Sequence, residues 1–431
     1  MAKIYIKTFG CTLNQYESEI MKGLIKNSEH NIVNNENKAD LIIINGCTVT
    51  KRAENKFWNY LKKTKDKKII CAGCVAQAEP YLLKTKLKKY SVIGTEQIHN
   101  ILDIINKTSE GKIIHNIKRN PELNPNKIEN LKDNKITEII PIARGCVGNC
   151  SYCITKLARG SLKSFSVDSI IKRFEKGLKK GSREFWITAE DTGAYGKDMN
   201  NGVNIIYLLK YILKNINGDY KIRLSMGNPN HFIKFRKELA DILKDERMFK
   251  FIHLPLQSGS NKILKEMNRY YKKEEFLDLI IYLKKQIPEI TISTDVILGF
   301  PGETEKDFNE TINVIKKTKP DILNINRFSP RPKTKAYELK ELQSNILKER
   351  SRKMTKLFEK IGYENNKKWL NKKAEVLIDE EGKKGTKTMK GRNNSYKTVV
   401  VSYKNKKAGL GEKVNVKIDK ISYFDLRGSM I

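Results

Sequence analysis

Cysteines are the residues of this 431-residue chain best suited to chemistry, and three of its seven crowd one short stretch, Cys146-Val-Gly-Asn-Cys150-Ser-Tyr-Cys153. Three thiolates this close can wrap one metal centre from a single loop. A structural zinc site asks for four protein ligands, yet no fourth cysteine follows and the next histidine is His231. A [4Fe–4S] cubane held by three thiolates instead keeps one iron open to a small molecule, which is what a catalytic cluster needs. Zinc is the minor alternative on spacing alone.

The remaining cysteines are Cys11, Cys47, Cys71 and Cys74. Cys11, Cys47 and Cys74 each lie just beyond a different strand-like segment, Lys3–Thr8, Asp40–Asn45 and Lys68–Cys71. In an open parallel sheet the loops after the strands converge on one crevice, so three remote thiols can meet there. Three unrelated buried cysteines is the plainer account. Cys71 and Cys74 also read as a redox dithiol or half a zinc site. No apolar run approaches the ~20 residues of a membrane span. The chain enters a strand-like alternation at Lys3 without a signal-peptide pattern. A cytosolic chain with reduced thiols is therefore expected, its cysteines acting as ligands or reactive groups rather than disulfides.

The elements that must position these thiols follow from periodicity. Residues 1–112 alternate strands with helical segments such as Glu17–Lys26, predicting an open parallel α/β sheet. Residues 113–135, polar and carrying Pro121 and Pro125, read as a linker. Residues 136–366 offer six strands, Ile139–Ala143, Glu184–Thr188, Lys221–Ser225, Phe249–Leu254, Thr291–Leu298 and Asp321–Phe328, with amphipathic segments such as Val167–Lys179 and Lys273–Lys285 between them. Six βα units fit a partial or full α/β barrel with its chemistry in the loops after the strands. Glu338–Asn365 reads as a charged helix with Leu342, Ile346, Met354, Leu357 and Ile361 on its apolar side. From 367 to 431, short strands Ala374–Ile378, Thr398–Ser402 and Val414–Ile418, punctuated by glycines, predict a small antiparallel β-barrel.

Charge narrows the partners. Lys and Arg number 84 against 49 Asp and Glu, a net charge of +35. Nucleic acid is the default partner of such a surface, through counterion release; a proteome rich in Lys, Asn and Ile gives the same number. In the C-terminal module, basic residues outnumber acidic ones more than two to one. A Walker-type phosphate loop and a serine-hydrolase elbow are both missing from the sequence.

The Cys146 loop, C-x3-C-x2-C, resembles the radical S-adenosylmethionine superfamily. Further strings, in order along nearly the whole chain, resemble the methylthiotransferase family. They are Thr8-Phe-Gly-Cys11-Thr-Leu-Asn14-Gln-Tyr-Glu-Ser18-Glu19, Asn45-Gly-Cys47-Thr-Val, Ala72-Gly-Cys74-Val-Ala-Gln77, Pro141-Ile-Ala-Arg144-Gly-Cys146 and Glu190-Asp-Thr-Gly-Ala-Tyr-Gly196. His253-Leu-Pro-Leu-Gln-Ser-Gly-Ser260 and Gly299-Phe-Pro-Gly-Glu-Thr304 continue the series, and residues around Gly391-Arg-Asn resemble a TRAM domain. The resemblance makes Cys146, Cys150 and Cys153 ligands of the radical [4Fe–4S] cluster. Cys11, Cys47 and Cys74 would hold an auxiliary [4Fe–4S] cluster carrying the sulfur to be transferred, and Cys71 matches no ligand position. Ile154-Thr-Lys-Leu-Ala-Arg-Gly160 and Asn228-Pro-Asn-His231 are similar to the archaeal and eukaryotic branch acting on N6-threonylcarbamoyladenosine of tRNA.

Within that family, one S-adenosylmethionine methylates the auxiliary sulfur and a second is cleaved to a 5′-deoxyadenosyl radical that takes hydrogen from adenine C2. The anticodon-loop base is already single-stranded, so little is spent on exposing it. An electron donor and a sulfur source are also implied. Tyr152 matches an aromatic that stacks on the cofactor adenine, with loop packing as the plainer role. Glu190 sits where a group for the methionine amine is often found, although relatives often have glutamine there. Gln257 and Arg327 follow strands and are candidates for contacts to cofactor or substrate, as they are for supporting hydrogen bonds. Gly299 and Gly302 are candidates for letting backbone approach the adenine, or form an ordinary turn. His231 and His253 read as hydrogen-bonding residues. Lys333, in Ser329-Pro-Arg-Pro-Lys-Thr334, departs from the family's usual glycine. Isopentenyladenosine tRNA, a ribosomal-protein aspartate, and a non-catalytic zinc- and RNA-binding role are the competing expectations.

Overall fold

The computed structural model describes every residue except Pro121, Asn405 and Lys406; Pro121, counted with the expected linker, lies outside the described residues. Six strands form one all-parallel N-terminal sheet: β1 (Lys3–Phe9), β2 (Asn31–Ile32), β3 (Leu41–Gly46), β4 (Lys68–Gly73), β5 (Ser91–Ile93) and β6 (His115–Asn116), in the order β2-β1-β3-β4-β5-β6. Strand β3, Leu-Ile-Ile-Ile-Asn-Gly, is buried along its whole length, as a parallel strand covered on both faces must be. Leu41 and Ile43 join one core with helices α1 (Thr12–Lys26) and, later in the chain, α4 (Ile101–Ser109). Ile42 and Ile44 join the opposite core with α2 (Lys51–Lys63), whose Phe57 and Leu61 are buried there. The short helix α3 (Cys74–Ala78) starts directly after β4.

Residues 113–135 do more than connect. They supply β6, and Leu131 N–H donates to the Glu19 carbonyl at 2.8 Å. Tyr16 OH donates to the Pro125 carbonyl at 3.0 Å, and Asn126 Nδ2 donates to the Pro141 carbonyl at 2.7 Å. The segment straps α1 to the start of the next domain.

The central domain opens with β7 (Thr137–Pro141), the short β8 (Ala143–Arg144) and β9 (Lys163–Ser164), and β10 (Glu184–Thr188). It continues with β11 (Lys221–Leu224), β12 (Phe251–His253), β13 (Thr291–Leu298) and β14 (Ile322–Arg327). Two parallel three-stranded sheets, β11-β10-β7 and β12-β13-β14, are linked by a parallel bridge between Ile222 and Met248. The barrel is therefore partial. Helices α5 (Thr155–Arg159), α6 (Val167–Lys179), α7 (Ile205–Asn215), α8 (Pro229–Phe232), α9 (Arg236–Lys244), α10 (Asn261–Glu266), α11 (Lys273–Gln286) and α12 (Glu305–Thr318) follow the strands. The last helix, α13 (Ser344–Lys367), starts six residues later than the apolar spacing suggests, because Lys335–Glu338 form a separate short turn and the chain is non-helical from Leu339 to the cap Gln343. Leu342 thus precedes it, and Leu347, Arg350, Met354 and Ile361 form its buried side.

Five strands close the C-terminal barrel, β15 (Lys373–Glu381), β16 (Thr388–Asn393), β17 (Thr398–Ser402), β18 (Lys413–Ile421) and β19 (Leu426–Met430), in the order β15-β16-β17-β19-β18. Strands β16 and β19, rich in Lys, Arg and Gly, give no apolar alternation and are not legible in the sequence. The barrel docks at the ends where the central strands begin. Lys397 Nζ reaches Asp321 Oδ1 at 2.7 Å and Asn366 Oδ1 at 2.8 Å, and Lys250 N–H donates to the Asn394 carbonyl at 2.8 Å.

Candidate active site

The loops that leave the C-terminal ends of β1, β3 and β4 each begin with one thiol: Cys11, Cys47 and Cys74. Gly73, at φ +91°, turns β4 into α3; a Cβ there would meet Asn45 Oδ1 at 2.3 Å, so only glycine fits the close approach. Asn14 organises the crevice. Its side chain accepts from Cys11 N–H at 3.3 Å, donates to Asn45 Oδ1 at 3.1 Å, and lies 4.0 Å from Cys74 Sγ. Cys74 acts electrostatically on Cys11, and Cys11 on Cys47. Cys11 is exposed whereas Cys47 and Cys74 are buried. Cys71 lies inside β4 among Ile44, Phe57 and Val92, and burial raises its thiol pKa.

The second triad sits in the loop between β8 and α5. Gly148 N–H donates to Cys146 Sγ at 3.1 Å, and a Cβ on Gly148 would lie 3.8 Å from Cys150 Sγ, so the loop folds back on its sulfurs. Burial pushes the Cys146 thiol up to about 12, against that N–H. Burial also raises Cys153, with the Cys150 charge adding to it. Iron bound to such sulfurs would displace the proton and reverse this preference. Among the described residues no group of three or more His, Cys, Asp and Glu has the spacing of a single-ion site. A cubane holds its thiolates at separate corners, farther apart than the ligands of one ion, and all-sulfur donors suit it.

Helix packing brings the two triads to one junction. Cys74 and Ala78 of α3 pack on Ile154, which caps α5, and on Ala158 near its end. At the end of α5, buried Arg159 pairs with Glu17 of α1 and, through Nε at 3.2 Å, with Glu190 after β10. Burial pushes Glu190 up to about 7 and raises Glu17, with Arg159 opposing both. Glu190 Oε2 has no hydrogen-bond partner among the described residues. A cavity of about 40 Å³ adjoins this pair, lined by residues including Leu13, Tyr16, Arg144 and Phe165.

The other expected residues gather at the same ends of the strands, in differing roles. Tyr152 packs edge-on to Phe300, ring centroids 6.4 Å apart, in a cluster with Ile297 and Ala336. Gln257 has φ +64° and is held on β13 by hydrogen bonds to Asp295 and Ile297 backbone. Gly299, at φ +75°, packs so closely on α13 that a Cβ would meet Leu347 Cδ2 at 1.8 Å, while a Cβ on Gly302 would meet nothing within 4 Å. Arg327 is exposed at the end of β14. His253 pairs with Asp295 at 2.8 Å and His231 with Asp191 at 3.2 Å, so both are hydrogen-bonding residues. Lys333 adopts φ +62°, the backbone a glycine favours.

Three residues went unassigned in the sequence. Arg159 and Asn14 lie inside strings already quoted, but a string does not reveal which partner a side chain meets. Arg269 carries no such signal, yet its half-buried guanidinium donates to Cys150 Sγ at 3.4 Å and to Asn228 Oδ1.

The model of the Radical SAM superfamily matches residues 140–315, that of the Uncharacterized protein family UPF0004 matches residues 3–94, and that of the TRAM domain matches residues 367–431. A solved radical S-adenosylmethionine methyltransferase from Kitasatospora setae aligns at TM-score 0.55 and 10% identity, covering 78% of this chain and 74% of that one; this likeness concerns the fold alone. Fold and domain order define a radical S-adenosylmethionine protein with a C-terminal TRAM barrel. The probable threonylcarbamoyladenosine tRNA methylthiotransferase of Pyrococcus horikoshii is 39% identical, over 89% of this chain and 90% of its own length. Its counterpart in Archaeoglobus fulgidus is 36% identical over 99% and 98%, and the human threonylcarbamoyladenosine tRNA methylthiotransferase 35% over 100% and 74%. The chain belongs to the threonylcarbamoyladenosine tRNA methylthiotransferase family.

Proposed function

We propose that this chain transfers a methylthio group to C2 of N6-threonylcarbamoyladenosine at position 37 of tRNA. The observation that carries the reading is the packing of α3 on α5, which brings two separate groups of three thiols to one domain junction. Cys146, Cys150 and Cys153 hold one [4Fe–4S] cluster, and Cys11, Cys47 and Cys74 hold the other. Bound there, the first cluster supplies reductive cleavage of S-adenosylmethionine and the second supplies sulfur.

The chain's own groups orient and seal the site. Glu190 Oε2, buried and unpaired, offers an acceptor for the methionine ammonium. Arg159 holds that carboxylate in place through its Nε and links it to the auxiliary side through Glu17. Tyr152, Gln257, Gly299, Gly302 and Arg327 complete the cofactor and substrate pocket. Arg269, donating to Cys150 Sγ, steadies the radical-cluster loop. The TRAM barrel and the +35 charge suit a tRNA, engaged by its anticodon loop.

An electron-donor protein and a sulfur source serve the reaction from outside the chain. No helix among the described residues is long and apolar enough to cross a membrane, and the reduced thiols suit the cytoplasm. Mass spectrometry of tRNA nucleosides from a strain lacking the gene tests the reading. Loss of the 2-methylthio form of threonylcarbamoyladenosine is expected. Its persistence, or loss of a methylthiolated isopentenyladenosine or ribosomal protein instead, rejects the substrate.

A further inference from the structure

Two tyrosines at the domain junction have no part in the chemistry described above. Tyr81 is 50% exposed and Tyr337 49% exposed. Tyr81 stands in the turn Pro80–Lys84 of the N-terminal domain, and Tyr337 in the turn Lys335–Glu338 that follows the last barrel strand. Each is tethered to a loop of one thiol triad. Tyr81 OH donates to Glu79 Oε2 at 2.9 Å, and Glu79 Oε1 accepts at 3.5 Å from Thr48, the neighbour of Cys47. Tyr337 follows buried Ala336, whose N–H donates to the carbonyl of Ser151, between Cys150 and Tyr152, at 2.8 Å.

Both rings stand at the seam between the two domains. The Tyr81 hydroxyl is raised by burial and by its bond to Glu79, and Tyr337 and Glu54 lie near enough to add to the effect. Glu54 is itself paired with buried Arg331, six residues before Tyr337, so the seam is pinned where the rings stand. Single exposed aromatics are ordinary on a protein surface. Two such rings from two domains, each tethered to a loop of one thiol triad, with exposed Lys84, Lys333 and Lys335 beside them in sequence, are a different arrangement. Rings that offer faces to bases, interleaved with cations for phosphates, are how single-stranded nucleic acid is held.

We infer that Tyr81 and Tyr337 form a stacking platform for the nucleobases immediately 5′ and 3′ of the target base in a single-stranded RNA loop. The platform holds the neighbours so that the target alone enters the junction. It rests on the RNA-substrate reading above and goes beyond it by assigning the contacts that grip the loop.

The test uses the cluster-loaded full chain and a short anticodon stem–loop RNA with 2-aminopurine at either neighbour of the target adenine. Fluorescence anisotropy gives affinity at several salt concentrations, and 2-aminopurine emission reads stacking directly. Tyr81→Ala and Tyr337→Ala are each expected to weaken binding roughly 5- to 100-fold and to relieve quenching at one neighbour. Their salt slopes should match the unsubstituted chain, because no phosphate contact is lost. Tyr81→Phe and Tyr337→Phe should restore affinity to within about two-fold, which also excludes misfolding as the cause. Alanine variants that bind within about two-fold of the unsubstituted chain overturn the platform, as do phenylalanine variants as weak as alanine. An unsubstituted chain that fails to bind the stem–loop at all overturns the RNA reading instead.

Discussion

Glu184 opens β10 with its side chain fully out of solvent, where the central domain meets the TRAM barrel. Its Oε1 accepts from Trp186 Nε1 at 2.7 Å, and its Oε2 has no hydrogen-bond partner among the described residues. Burial, then the Asp379 carboxylate, pushes its pKa from 4.5 up to about 7, against Trp186, Arg392 and Arg223. A folded pKa above the unfolded one means that the folded state holds the proton more tightly. The stability this carboxyl contributes is therefore complete below pH 4.5 and lost as pH rises through 7. The gap between those values, at roughly 1.4 kcal/mol per pH unit, amounts to about 3 kcal/mol at pH 8. Glu184→Gln keeps an acceptor for Trp186 and removes the ionisation. The variant should match the unsubstituted chain near pH 4.5 and exceed it by about 3 kcal/mol at pH 8. Urea unfolding between pH 4.5 and 8, followed by Trp186 fluorescence in a Trp58→Phe, Trp369→Phe background, measures the difference. A difference that stays constant with pH, or that shrinks as pH rises, refutes the reasoning.

Anaerobic reconstitution should load about eight iron atoms per chain. Replacing Cys146, Cys150 or Cys153 with Ala should abolish cleavage of S-adenosylmethionine, whereas replacing Cys11, Cys47 or Cys74 should leave about four irons and cleavage without thiolation; methylthiolated product from Cys74→Ala would reject that ligand set. Cys71→Ala should keep the full iron load and cost about 1 kcal/mol for the small cavity it opens. Lys333→Gly relieves a left-handed backbone and should stabilise the chain by about 0.5 to 1 kcal/mol in thermal unfolding; a lowered melting temperature contradicts this. Arg331→Ala leaves Glu54 with only Trp58 and Lys51 as partners among the described residues and should cost about 1 to 3 kcal/mol, lowering thiolation more than cofactor cleavage, with Arg331→Met in a Glu54→Leu background recovering most of the stability. Equal losses of both activities would mean that the pair does not hold the junction.

Local pattern was enough for the architecture and for the crowding of three thiols in one loop. C-x3-C-x2-C is a loop property, since three thiols within eight residues must share a neighbourhood whatever the rest of the chain does. Continuous apolar runs such as Leu41–Ile44 and the 3.6-residue spacing of Val167–Lys179 likewise depend only on which faces are buried. Strands β16 and β19 were illegible because a small barrel presents Lys and Arg outward and tolerates Gly where strands bend, which erases the alternation. The start of α13 differs because the residues before it keep apolar spacing although Lys335–Glu338 turn separately and 339–343 are not helical. Tertiary structure alone decided which distant charges meet. Arg159 finds Glu17 142 residues away, and Arg331 finds Glu54 277 residues away. Such pairs are set by how two domains pack, a long-range arrangement that leaves no periodic trace in either segment.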